Sequence, residues 1–237
     1  GDSASPLRIW LAKNREVAEE LFLAIDPAHD KLDAVLKLFA QIHEQYPKQL
    51  AQYGNLAIAV AVTWDDPGAI YDYEPHRQRA KATEGEAPLD GLGNFDYFLK
   101  AEGVMQGRAR FLPWEFLVHV VNHRTPLADR QWAVSNYLSQ RAMIGKCYSD
   151  VPYDFQMLSS KSATAKLNGQ AFNLTNIKTF GGVCSYQADF ASRVGQSLGV
   201  PAAYVSGQAN SGDHHAWVMW VELQSVTPTS IAFTLES

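Results

Sequence analysis

Cysteine is scarce: the 237 residues hold two, Cys147 and Cys184. Two thiols make no disulfide framework, and neither belongs to a CxxC pair that would mark a metal box. A Cys147–Cys184 bridge would consume the one thiol that the remaining pattern singles out. Long apolar runs are also missing. The longest, Leu56 to Val62, is far too short to span a bilayer, so no membrane insertion is expected. Basic residues do not dominate: 20 Lys and Arg face 25 Asp and Glu, for a net charge of −5 and a pI near 5.8. The Lys and Arg are scattered, which leaves a nucleic-acid partner without an electrostatic footprint. There is no internal repeat, no low-complexity tract and no nucleotide-binding loop, so no cofactor is expected.

What is present is ordinary globular material, 46% hydrophobic and 19% charged, enough for one large domain or two small ones. Pro6 to Ile25 is amphipathic at helical spacing, through Ile9, Trp10, Val17, Leu21 and Phe22. Lys31 to Tyr46 repeats the pattern, and the two read as an antiparallel helix pair. Leu56 to Trp64, rich in alanine, reads as a helix. Asp65 to Asn94 holds prolines and glycines and few large aliphatics, and reads as a loop. Phe95 to Ala101 is a short helix, and Leu112-Pro113 opens another running to Asn122. Thr125-Pro126 opens the clearest helix of this part, with threonine as the cap, continuing to about Gly145. His119 and His123 stand four apart on one helical face, without a Glu or Cys partner for a metal. Cys147 to Gln170 is a polar, weakly patterned loop. The expected fold is α+β, a helical N-terminal subdomain over residues 1–150 followed by a core over 151–237.

That core is organised by the stretch from Gly181 to Glu222. Gly181-Gly182 make a tight turn and Cys184 stands where the turn becomes a helix. Ser185 to Leu198 carries Phe190, Val194 and Leu198 at helical spacing, with Gly199 as the stop and Pro201 behind it. A thiol in a first helical turn meets exposed N–H groups and the positive end of the dipole, which favour thiolate. Ala202 to Gly207 suits a strand, Gln208 to Asp213 a loop. His214 to Leu223 alternates: His215, Trp217, Met219 and Val221 on one side, His214, Ala216, Val218 and Trp220 on the other, buried on both faces or nearly so. A histidine opening such a strand can face a cysteine opening the preceding helix, the minimum for a nucleophilic cysteine enzyme. His214 and His215 point to opposite faces, so they do not share one metal ion, and no metal site is expected.

The run G-G-V-C-S-Y-Q-A-D-F-A, then L-G-V-P-A-A-Y-V-S-G, then H-A-W-V resembles the transglutaminase-like superfamily, over about residues 170 to 223. The resemblance implies a cysteine-bearing helix packed on an antiparallel sheet, with Cys184 as nucleophile and His215 as base. It also implies an aspartate on the strand after the histidine strand, to orient the imidazole. None follows Asp213; Glu236, ending IAFTLE, is the nearest acid by position. A segment beyond Ser237, or an inactive site, are the other readings. The first residues, GDSASP, read as a trimmed start and point to an extracytoplasmic location. Oxyanion donors would be the amide of Cys184 and a side chain such as Gln170 or Asn173, and Trp217 shares the face of His215. The expected function is acyl transfer or hydrolysis on an amide or peptide bond of a peptide or protein substrate. That substrate is expected across the segments 65–94 and 147–170. The alternative is an inactive domain of the same fold that binds peptides or proteins.

Overall fold

The computed structural model describes residues 6–159, 164–208, 210 and 212–237. The chain is mixed α+β, mostly helical, with one small antiparallel sheet. It divides into two compact units. One comprises Gly1–Ile70, Leu89–Asn122 and Val226–Ser230; the other Tyr71–Pro88, His123–Ser225 and Ile231–Ser237. The boundary expected at residue 150 falls inside the second unit.

The first unit is helical. It holds α1 (Pro6–Lys13), α2 (Arg15–Ala24), α3 (Leu32–Gln45) and α4 (Gly54–Thr63). The amphipathic run from Pro6 is thus two helices. Asn14 breaks it, its side-chain amide donating to the Trp10 carbonyl at 2.8 Å. The alanine-rich run is the helix α4, buried from Leu56 to Ala61, and α3 and α2 pack on it. After α5 (Glu74–Ala80), which belongs to the other unit, come α6 (Gly91–Lys100), α7 (Glu102–Met105), α8 (Arg108–Phe111) and α9 (Trp114–Val121). Asp90 caps α6, its carboxylate accepting from the Gly93 amide, so this helix begins four residues before the expected Phe95. Phe39, Ile42, Leu56, Phe95 and Val121 form the centre of this core.

The second unit carries the stretch of interest. The loop expected over 65–94 contains a helix, α5 (Glu74–Ala80), with proline in its first turn and Glu74 paired to Arg77. Then follow α10 (Leu127–Tyr137), a 3-10 helix over Leu138–Asp150, α11 (Phe155–Ser159), α12 (Leu174–Phe180), α13 (Cys184–Ser197), and strands β1 (Ala202–Gln208), β2 (His214–Val226) and β3 (Ile231–Glu236). Thr125 does not cap α10. Its hydroxyl is taken by His123 at 2.8 Å and by the Arg193 guanidinium at 3.1 Å. The helix expected to run to Gly145 tightens to 3-10 after Tyr137. His123 lies past the end of α9 and is fully buried.

Helix α13 is the axis of this unit. Every residue from Tyr186 to Ser197 is buried, although half are polar. Burial is tolerated because the polar groups are paired. Gln187 donates to the Val151 carbonyl, Gln196 to the Ala202 carbonyl, and Ser197 to the Arg193 carbonyl. Arg193, with no exposure, sits between Asp129 at 2.7 Å and Asp189 at 3.3 Å, and stacks on the Tyr73 ring. Burial opposes its charge, but the two carboxylates outweigh it and hold the guanidinium protonated.

The sheet order is β1-β2-β3, with β1 and β2 antiparallel and Ala202 opposite Trp220, Gln208 opposite His214. One face of the pair, with Ala202 and Val218, packs on α13 within the unit's hydrophobic core. Along β2 burial falls on Ala216 and Val218, then shifts to Val221 and Leu223. Met219, on the expected second buried face, is 43% exposed. No helix among the described residues is long and apolar enough to cross a membrane.

Candidate active site

The turn before α13 is built for close backbone approach. Gly181 has φ +81°, and a Cβ there would stand 2.1 Å from the Pro152 carbonyl oxygen. A Cβ on Gly182 would lie 2.4 Å from Tyr186 Cγ. With no side chains in the way, the Gly182 amide donates to the Pro152 carbonyl at 3.0 Å, and the Asp154 amide donates to the Gly182 carbonyl at 2.9 Å. This two-bond clasp holds the 152–154 segment beside the start of α13. Asp154 then fixes the segment's far side. One of its oxygens accepts from the Gln156 and Met157 amides and the other from the Lys166 amide.

The clasp delivers Tyr153 to Cys184. Cys184 is the first residue of α13, partly exposed, and a free thiol. Burial raises the Tyr153 hydroxyl above the ordinary phenol value, and the neighbouring Cys184 thiol adds to the rise. Two more phenols feel the same sulfur. Tyr148 is pushed up to about 12 by burial, with the sulfur of Cys184 adding to it, and its hydroxyl donates to the Ala216 carbonyl at 3.0 Å. Tyr204 is raised by burial, opposed by a hydrogen bond from Ser206. Its ring stacks on Tyr71 and tilts against His76, whose imidazole is lowered by burial and kept neutral. The surroundings of Cys184 are therefore tyrosine-rich.

The other thiol differs. Cys147 is 97% out of solvent and burial raises it well above an ordinary thiol, so it is a core residue.

The two histidines open β2. His215 pairs with Gly207 and His214 with Gln208. Strand alternation places His214 with Ala216 and Val218, on the side that packs on α13, and His215 with Trp217. The rings of His215 and Trp217 stack with centroids 6.2 Å apart, and both residues line a cavity of about 500 Å³ with Tyr148, Tyr153, Gln187 and Trp220. Gln187, one turn after Cys184, and Tyr153 line this cavity; Cys184 itself does not. Among the described residues no hydrogen bond joins Cys184 to His214 or His215, and none joins Glu236 to His215. Glu236 ends β3 and is half-buried.

The two amides named from sequence are placed otherwise. Asn173 caps α12, its Oδ1 accepting from the Asn176 amide at 2.8 Å. Gln170 is exposed; its carbonyl accepts from the Thr83 amide and its own amide donates to the Leu167 carbonyl. Tyr148, Tyr153 and Gln187 are the neighbours that sequence reasoning missed. Gln187 carried a signal, three residues after Cys184 and so on its helical face. The tyrosines carried none beyond lying in the segment read as a wall. Among the described residues no group of three or more His, Cys, Asp or Glu is placed to hold a metal ion.

No family model matches the chain, and neither the curated proteins nor the solved structures contain a match. The chemistry of the site must therefore be argued from its own groups. Those groups are a partly exposed thiol at a helix start, a nearby phenol, and a histidine-bearing strand beside an aromatic cavity.

Proposed function

We propose that this chain is a cysteine-dependent enzyme acting on amide bonds, built on a transglutaminase-like core in its second unit. Cys184 attacks the carbonyl carbon as thiolate, forming a C–S bond and a tetrahedral oxyanion. Collapse of the oxyanion breaks the C–N bond. His215, as imidazolium, gives its proton to the leaving amine. The thioester then passes its acyl group to water, giving an acid, or to an amine, giving a new amide. Hydrolysis is the favoured outcome. The observation that carries the reading is the placement of the partly exposed Cys184 as first residue of a buried helix, one turn from Gln187, which lines the same cavity as His215. In this reading Tyr153 supplies an oxyanion-donating hydroxyl, and Asn173 is engaged as the cap of α12.

The test uses alkylation and turnover together. Cys184 is expected to react with iodoacetamide at pH 7 faster than a small-molecule thiol, and His215→Ala to remove the excess. Turnover of a peptide amide is expected to vanish in Cys184→Ala. Ordinary alkylation that is indifferent to His215, with no cysteine-dependent turnover, would sink the proposal.

A second reading has its own support. No hydrogen bond links thiol and imidazole, and register turns His214 rather than His215 toward α13. A non-catalytic peptide-binding domain needs neither link. It predicts peptide binding that survives Cys184→Ala, together with no turnover by the wild type.

A further inference from the structure

The first unit carries an apolar groove far in sequence from Cys184. Helices α2 and α3 each pack on α4 more than on each other. The faces that the sequence would close into an antiparallel pair therefore stand apart, and a groove of about 670 Å³ opens among α1, α2 and α3. Along α2 and just past it, Arg15, Ala18, Glu19, Phe22 and Ile25 line the groove at helical spacing. Leu11 of α1 and Leu32 and Leu36 of α3 make its other sides. Phe22 is 83% exposed and Leu32 53%. An open apolar stripe of this kind on a folded unit marks a contact surface.

Charge marks the two ends of the stripe. Arg15 opens α2. Its pair with Glu19, at 3.6 Å, is exposed on both sides and so worth little. Asp30 stands at the other end, folded back on Asp26. Its amide donates to the Asp26 carbonyl at 2.8 Å, and its carboxylate accepts from the Asp26 amide at 2.8 Å. Burial raises the Asp30 carboxyl, and the charges of Asp65 and Asp26 add to the rise. A cation brought beside it offsets that.

We propose that this face docks a second copy of the chain, α2 against α2, antiparallel about a two-fold axis. The groove asks for a helix with an apolar centre, a basic end and an acidic end in reverse order, and α2 with its following turn is such a helix. Arg15 of each copy then meets Asp30 of the other, and Phe22 of each copy enters the other's groove, as a self-complementary two-fold contact requires. The two helix dipoles run in opposite directions, which is the favourable sense. The proposal is independent of the amide-bond reading.

Sedimentation equilibrium on the full chain reads the mass. At about 100 μM the mass is expected to be that of two chains, falling towards one on dilution. Phe22→Glu, on an exposed side chain, should raise the dimer dissociation constant at least about tenfold, as loss of a central aromatic anchor does. Arg15→Glu and Asp30→Arg should each weaken self-association, because each sets like charges against one another at both ends of the contact. Mixed in equal amounts, the two variants should associate with each other, since every facing pair is then opposite in sign. A wild-type chain that stays monomeric at about 100 μM overturns the inference and leaves the groove to a different protein. A dimer indifferent to Phe22→Glu overturns it, as do folded charge variants that fail to associate when mixed. Asp30→Arg also removes the acceptor for the Asp26 amide. If that variant does not fold, Arg15→Glu decides: a dimer it leaves unchanged sinks the inference.

Discussion

Gly181 shows how single residues set the geometry around Cys184. Its φ of +81° suits glycine alone, and the Pro152 carbonyl occupies the place where a Cβ would stand. Replacing it strains the backbone and breaks the clasp that carries Tyr153. Gly181→Ala is expected to lower unfolding free energy by about 2–3 kcal/mol, the range for forced left-handed backbone combined with overpacking. Urea denaturation checks this. A loss under 0.5 kcal/mol would mean that the 152–154 segment moves aside at little cost. The same variant should slow alkylation of Cys184 if the Tyr153 hydroxyl supports the thiolate.

Helix α12 is short, and its start depends on Asn173. The side chain of Asn173 accepts from the Asn176 amide, and the Leu174 amide donates to the buried Asp129 carboxylate at 3.2 Å. Two of the first turn's free N–H groups are thereby satisfied. Asn173→Ala is expected to cost about 1 kcal/mol, and Gln170→Ala, on an exposed side chain, less than about 0.5 kcal/mol. Comparable losses in turnover rather than in stability would return these amides to the catalytic account. Helix α13 works differently. Its polar residues are anchored in pairs, above all Arg193 between Asp129 and Asp189, so it presents Cys184 from a rigid base. Through Asp129 the ion cluster ties α13 to α10.

Across the whole molecule, acid sensitivity should follow buried histidine. His123 is fully buried; burial first, and then the charges of Arg130 and Arg193, lower its pKa well below the ordinary imidazole value. His76 is lowered by burial in the same sense. A base whose folded pKa is depressed stays neutral in the native state while the unfolded chain takes up a proton. Its contribution is therefore complete above the unfolded value, about 6.5, and is lost as pH falls below it. Asp129 acts in the opposite sense, since burial raises its carboxyl, from about 3.9 upward. The comparison with a variant isolates the histidine. Thermal unfolding midpoints are expected to fall between pH 7 and 5.5, and His123→Asn, which keeps a donor toward Thr125, should flatten the fall. An unchanged slope in the variant would assign the acid loss elsewhere.

The sequence by itself determined the local matter of this protein. Helical spacing in 32–45 and 184–197, the alanine-rich run of α4, glycine at 199 with φ +73°, and strand alternation after His214 are short-range patterns that burial enforces. It determined too which thiol stands at a helix start. What it left open is set by contacts between distant residues. The hydroxyl of Thr125 is claimed by Arg193 rather than by the helix it precedes, and Asn173 serves α12 rather than the thiol. The 152–154 segment lies against the start of α13 because two glycines let separate backbone segments touch. Register between β1 and β2 decides which of two adjacent histidines turns toward α13. Pairing partners and backbone clearances are properties of the folded chain as a whole, and no window of residues encodes them.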